Sequence, residues 1–267
     1  MLELHNRARQ LLETQAVNLI IGYGEGHGDE PRPVFIDKPD TVTRLIFNER
    51  CIQNLAVYLL KPEVRTQGKI GIVTTIPVSR SILQLAAENQ IRDEEVVLLL
   101  VRADGKVSEV TRFSELEGLV AQHETKIPAP DQEKISILQK KSREERWQYW
   151  VNEFNRCIKC YACRASCPMC YCTNCTVECN QPQWIPVPAH ALGNLEWHIM
   201  RVMHLAGRCI NCGECARACP VDIPLHLLTF MLNDNIADIF GQRAGMKAKP
   251  DYVLSTFKPD DKENFIR

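Results

Sequence analysis

The chain has 267 residues, 45% of them hydrophobic, with 32 Lys and Arg against 33 Asp and Glu and a formal net charge of -1. That is enough apolar material for a core without disulfides, and the balanced charge offers no global field for nucleic acid or an anionic membrane. The start, MLELHNRARQLLET, carries no apolar signal segment, and the most apolar run, Val96 to Val101, is far shorter than the roughly 20 residues of a spanning helix. The expectation is a cytoplasmic chain with neither a nucleic acid partner nor direct membrane insertion.

Residues 1–125 alternate helical and strand patterns. Leu4, Ala8, Leu11 and Leu12 form a helical stripe, and the apolar run at 17–21 predicts a strand. The glycine-rich stretch that follows, IIGYGEGHGDE, leads into Pro31 and Pro33 rather than a helix. A connecting loop therefore fits better than a dinucleotide fingerprint, with a flavin-contacting loop as the other reading. Residues 34–36 read as an edge strand, and Asn48 to Leu60 as a helix, with Ile52, Leu55, Ala56 and Leu59 at helical spacing and Cys51 as a small buried hydrophobe. KIGIVTT (69–75) predicts a buried strand, Ser79 caps the helix after it, VVLLLV (96–101) predicts another strand, and Ser114 opens a short helix. The turn TTIPVSRS, with Arg80, is either an ordinary strand-to-helix turn or an anion site. Together these patterns predict a small α/β domain with a mostly parallel sheet.

Residues 126–149 have the composition of a connector or surface helix, and 150–240 are expected to form a second, helical domain. Within it LGNLEWHIMRVMHLAG and IPLHLLTFMLNDNIADIFG read as helices, the latter stopping at Gly241. Residues 241–267 read as a polar, proline-punctuated tail that frays or docks on a partner.

Chemistry concentrates between Arg156 and Cys179, where eight of the 13 cysteines lie. In a reducing compartment such a cluster points to metal ligation. Cys157, Cys160, Cys163 and Cys167, followed by Pro168, have the spacing C-x2-C-x2-C-x3-C, and Cys209, Cys212, Cys215 and Cys219, followed by Pro220, repeat it. This is the bacterial ferredoxin pattern, in which the fourth cysteine of each run ligates the other run's cluster. One 4Fe-4S cluster is accordingly assigned to Cys157, Cys160, Cys163 and Cys219, and the other to Cys209, Cys212, Cys215 and Cys167. A pair of zinc sites is the alternative. Cys170, Cys172, Cys175 and Cys179 supply four further thiols, enough for a third 4Fe-4S cluster or a structural zinc. His190, His198, His204 and His226 lie near these groups, but packing or surface roles suit them better where every site already has four thiolates. Arg156, Arg164, Arg208 and Arg217 either tune the clusters, dock an acidic partner or are solvated.

CIKCYACRASCPMCYCTNC, HLAGRCINCGECARACPVDIPL and IFGQRAGM, together with the upstream NLIIGYGEG, PVFIDKP and IPVSRSILQLAAENQIRDEEVVLLLV, resemble iron-sulfur proteins related to the beta subunits of F420-reducing hydrogenase and formate dehydrogenase. That group includes accessory subunits of heterodisulfide-reductase-type complexes in anaerobes. Where the group carries Gly-Cys-Asp before the arginine of the strand-to-helix turn, this chain has Pro77-Val78-Ser79 before Arg80, which argues against chemistry located there.

The resemblance implies an electron-transfer subunit of an anaerobic oxidoreductase complex. Its partners would be a hydrogenase, a formate or NAD-linked dehydrogenase, or a heterodisulfide-reductase-like flavoprotein. The rival implication is a catalytic beta subunit that binds FAD and feeds its own clusters. A third reading treats the first domain as a docking adaptor and the metals as structural.

Overall fold

The computed structural model describes residues 1–102, 105–123, 127–175, 179, 181–183 and 185–249. In chain order, α1 (Leu2–Glu13) precedes β1 (Leu19–Glu25) and β2 (Pro31–Ile36). Then come the one-turn helix α2 (Pro62–Arg65), β3 (Ile70–Thr74), α3 (Ile76–Ala87), β4 (Val96–Val101), β5 (Val107–Val110) and α4 (Phe113–Ala121). The sheet order is β2-β1-β3-β4-β5. β1, β3 and β4 run parallel, with Ile20 opposite Gly71 and Ile70 opposite Val96, whereas β2 and β5 pair antiparallel at the two edges.

Sequence pattern accounts for this arrangement. β3 is buried at every position and β1 and β4 at all but their last, as strands covered on both faces require. β2 alternates and carries Pro31 and Pro33, which an edge tolerates. The sheet is therefore mixed rather than mostly parallel. The four-residue β5 went unanticipated because its apolar positions are only Val107 and Val110. Gly22 has a steric reason: a Cβ there would stand 2.3 Å from Leu45 Cδ2.

Two local expectations are corrected. Asn48 to Leu60 is not an α-helix; only Leu55–Tyr58 forms a 3-10 turn, capped by Asn54, and Cys51 sits in the turn before it. Asn48 and Asn54 compete with the helical ladder, Asn48 by accepting from Arg50 N–H and Asn54 from Ala56 N–H. Cys51 is nonetheless buried. The cap of α3 is Thr75, whose hydroxyl accepts from Val78 N–H, with Pro77 in the first turn. Ser79 lies inside the helix and is buried.

The second half comprises α5 (Ala129–Lys140), α6 (Arg143–Asn155), the one-turn α7 (Ala162–Ala165), α8 (Ala191–His204), the one-turn α9 (Glu214–Arg217) and α10 (Leu225–Phe240). Of the two readings of 126–149, connector or surface helix, the chain takes the helical one through α5 and the start of α6. Ser142 and Glu145 form a reciprocal capping box, and Ile135, Leu138, Trp150 and Phe154 bury themselves in a second apolar cluster with Trp197, Leu227 and Phe230. Each such large side chain contributes about 2 kcal/mol through its burial. The described part of the tail, up to Lys249, lies against the sheet unit: Ala244 is buried, and Ala248 N–H donates to Glu117 at 2.8 Å.

Among the described residues, no helix is long and apolar enough to cross a membrane.

Candidate metal centre

The two ferredoxin-type runs take the same backbone path. Lys159 (φ 51°) and Tyr161 (φ 58°) in the first, and Asn211 (φ 62°) and Gly213 (φ 76°) in the second, are left-handed. A short helix follows each, α7 and α9. Three non-glycine residues held in this region cost on the order of 1 kcal/mol each or more, a strain that marks functional loops. The turns direct amides toward sulfur: Lys159 N–H donates to Cys157 Sγ at 3.3 Å, Asn211 N–H to Cys209 Sγ at 3.5 Å, and Ile223 N–H to Cys219 Sγ at 3.4 Å. Such inward amides are what an anionic, sulfur-bound centre requires.

The fold also crosses the runs. Cys219 lies within electrostatic reach of Cys157 and Cys163, together with Cys160. Cys167 lies among Cys209, Cys212 and Cys215. Burial pushes the Cys209 thiol up to about 11 and those of Cys212 and Cys215 up to about 12. Cys167 is instead drawn down to about 6, chiefly by a hydrogen bond from Cys170, whose own thiol is held high first by that bond and then by burial. Buried thiols of this kind become thiolates when a metal binds them. Among the described residues, no three His, Cys, Asp or Glu side chains converge on one bare-ion position; a cube spreads its thiolates over four irons.

The remaining cysteines divide. Cys170 and Cys172 line a cavity of about 290 Å3 shared with Lys61, Tyr161, Arg164 and Tyr171. Cys175 packs against the second apolar cluster and Cys179 is exposed, and neither lines that cavity. Thr176 to Glu178 lie outside the described residues.

Sequence reasoning missed Arg201. It is 4% exposed on α8, and its Nη2 donates to Cys163 O at 2.9 Å, while Nε and Nη1 have no hydrogen-bond partner among the described residues. Burial opposes its charge, but Cys167, Cys215, Cys170 and Cys163 around it more than reverse this, so the guanidinium is held firmly protonated. The only signal for it was its place near the end of an amphipathic helix between the two runs. The thiols, the inward amides and this buried cation together suit 4Fe-4S ligation.

Other side chains near the centre tie the two halves together. The Arg80 guanidinium is turned to backbone carbonyls: its Nη1 and Nη2 donate to Ile210 O at 3.0 Å and Ala244 O at 2.7 Å. Glu214 accepts from Asn54 N–H at 2.9 Å and pairs with Arg217 at 2.6 Å. Arg208 pairs with Glu88, Arg164 donates to Cys172 O, and Arg156 reaches Glu153 and Val221 O. His190 caps α8, His198 stacks on Phe154 at 4.5 Å, His226 meets Asp131 at 3.0 Å, and His204 is exposed. IIGYGEGHGDE forms β1 and the hairpin turn into β2, with Glu25 paired opposite Pro31.

Residues 204–224 match the 4Fe-4S binding domain family. The chain is further related to the "F420-dependent formate dehydrogenase subunit beta" of Methanocaldococcus jannaschii, with 38% identity over 113 residues, 41% of this chain. The match spans only 29% of that relative's length.

Proposed function

We propose that this chain is a relay subunit of a larger oxidoreductase, moving single electrons through two 4Fe-4S centres held by Cys157, Cys160, Cys163 and Cys219 and by Cys209, Cys212, Cys215 and Cys167. The single observation that carries the reading is the crossing of Cys219 and Cys167 between the two runs. A bound cube exchanges one electron without group transfer, so nothing in the site needs to handle a substrate. The protein's part is to fix the spacing, exclude water and supply dipoles and charge. Cys170, Cys172, Cys175 and Cys179 would hold a third centre. The electron donor and acceptor would be a hydrogenase, a formate or NAD-linked dehydrogenase, or a heterodisulfide-reductase-like flavoprotein.

One observation favours a second reading with bound FAD. A cavity of about 840 Å3 opens beyond the ends of β3 and β4, lined by Phe47, Thr75, Pro77, Arg102 and Cys212. Parallel strands place ligands at that edge, and Cys212 is one of the thiols assigned to a centre. Anaerobic purification with iron, sulfide, zinc and flavin analysis tests all of this. About eight irons correspond to two cubes and about twelve to three. Cys172→Ala should then lower twelve to about eight, and iron unchanged in that variant would remove the third centre. A colourless, iron-poor native protein would refute the relay itself.

A further inference from the structure

Arg201 stands between the two thiol groups rather than beside one. Its charge acts on Cys163 of the first group and on Cys167, Cys209 and Cys215 of the second. One arm is fixed by Cys163 O, a backbone atom of the first run, and two nitrogens remain unpaired in the interior. A buried guanidinium with nitrogens left unsatisfied is costly unless a strong acceptor faces them. Among the described residues no carboxylate is paired with Arg201; sulfur surrounds it. Arginine keeps its proton throughout, so its charge is a permanent feature of the site.

Resting on the dicluster reading above, we propose that Arg201 is a positioning and tuning residue shared by both centres, its free Nε and Nη1 directed at cluster sulfur. One buried cation then favours the reduced form of both centres at once and offsets the repulsion between two reduced neighbours, which would otherwise make the second electron harder to add. The Nη2 bond to Cys163 O holds α8 and the loop at Cys163 in register, and the charge sets the potentials.

The test is an electron-paramagnetic-resonance redox titration of the full-length chain, purified anaerobically, for the wild type, Arg201→Gln, Arg201→Lys and the surface-charge control Arg92→Gln. Wild-type protein with iron and two signals establishes the dicluster reading, and its failure to show them sinks that reading alone. In loaded Arg201→Gln both midpoints should fall by roughly tenfold or more in the reduction equilibrium, which is about 59 mV for a one-electron couple. Arg201→Lys should retain most of the wild-type values, and Arg92→Gln all of them. Unchanged midpoints in loaded Arg201→Gln, or a shift at only one centre, would overturn the shared role. If Arg201→Gln does not retain iron, the lysine variant decides. Iron restored with near-wild-type midpoints supports a charge role, whereas an equally iron-poor lysine variant makes Arg201 purely structural.

Discussion

Glu88 at the end of α3 and Arg208 at the mouth of the second cysteine run form a two-pronged pair: Arg208 Nε donates to Oε1 at 2.8 Å and Nη2 to Oε2 at 2.6 Å. Tyr171 O–H adds a third bond to Glu88 at 2.7 Å, with its ring 5.5 Å from the Arg208 guanidinium. One carboxylate of the sheet unit thereby gathers a residue from each cysteine segment. Bidentate pairs are stronger than single contacts, although Arg208 keeps about a third of its side chain in water. Glu88→Gln should therefore lower unfolding stability by about 1–2 kcal/mol, less than a fully buried pair would. A double-mutant cycle of Glu88→Gln with Arg208→Gln, followed by denaturant unfolding, should give a coupling energy clearly above zero. Additive losses would show that the pair does not hold the halves together.

The proposed crossed ligation has a spectroscopic consequence. Cys219→Ala should damage the centre assembled from Cys157, Cys160 and Cys163, and Cys167→Ala the one assembled from Cys209, Cys212 and Cys215. Resonance spectra of the two variants should be complementary. Loss of the sequence-adjacent centre in each case would reverse the assignment.

Arg80 bridges two backbone carbonyls from different segments, Ile210 within the second run and Ala244 after α10. Arg80→Met leaves both acceptors buried and unpaired, a loss of about 2–6 kcal/mol at roughly 1–3 per group. Arg80→Lys should recover little, because an ammonium cannot reproduce the planar fork. Thermal unfolding and iron retention measure both effects, and a lysine variant as stable as wild type would contradict the geometry.

Acid sensitivity should arise at His198. Burial, reinforced by Arg201 and Lys159, pushes its imidazole down to about 3. An unfolded histidine accepts a proton near pH 6.5, so below that pH the unfolded chain binds a proton that the folded one refuses. The stability from neutral His198 is complete above about pH 6.5 and falls by roughly 1.4 kcal/mol per pH unit toward pH 3. His198→Phe keeps a ring on Phe154 and removes the titration. Between pH 7 and pH 5 the wild type should lose about 2 kcal/mol more than the variant. Parallel pH profiles in denaturant would refute this.

How much could be read beforehand depended on how local the cause was. Continuous apolar runs marked β1, β3 and β4, and Gly241 marked the end of α10, because strand burial and a left-handed stop are written in adjacent residues. Cysteine spacing exposed the site for the same reason. The false helix at Asn48 to Leu60 had the right apolar spacing, but its asparagines took the backbone bonds, and Asn54 N–H was claimed by Glu214, far along the chain. α5 and α6 were obscured by their charge, since only Ile135, Leu138, Trp150 and Phe154 turn inward. Arg201 was invisible because its meaning depends on which thiols surround it, and those come from both runs.

The return of the chain after α10 has a practical corollary for anyone dividing this protein. Gly245, left-handed at φ 72°, donates its N–H to Gln84 Oε1 at 2.9 Å, and a methyl group on it would come within 2.5 Å of Arg80 O. Ala244 beside it accepts from Arg80. A fragment stopped at Gly241 would strip α3 of both contacts, so neither half is an excisable cassette. Excising the thiol-rich half would require a cut through the sheet unit's own packing.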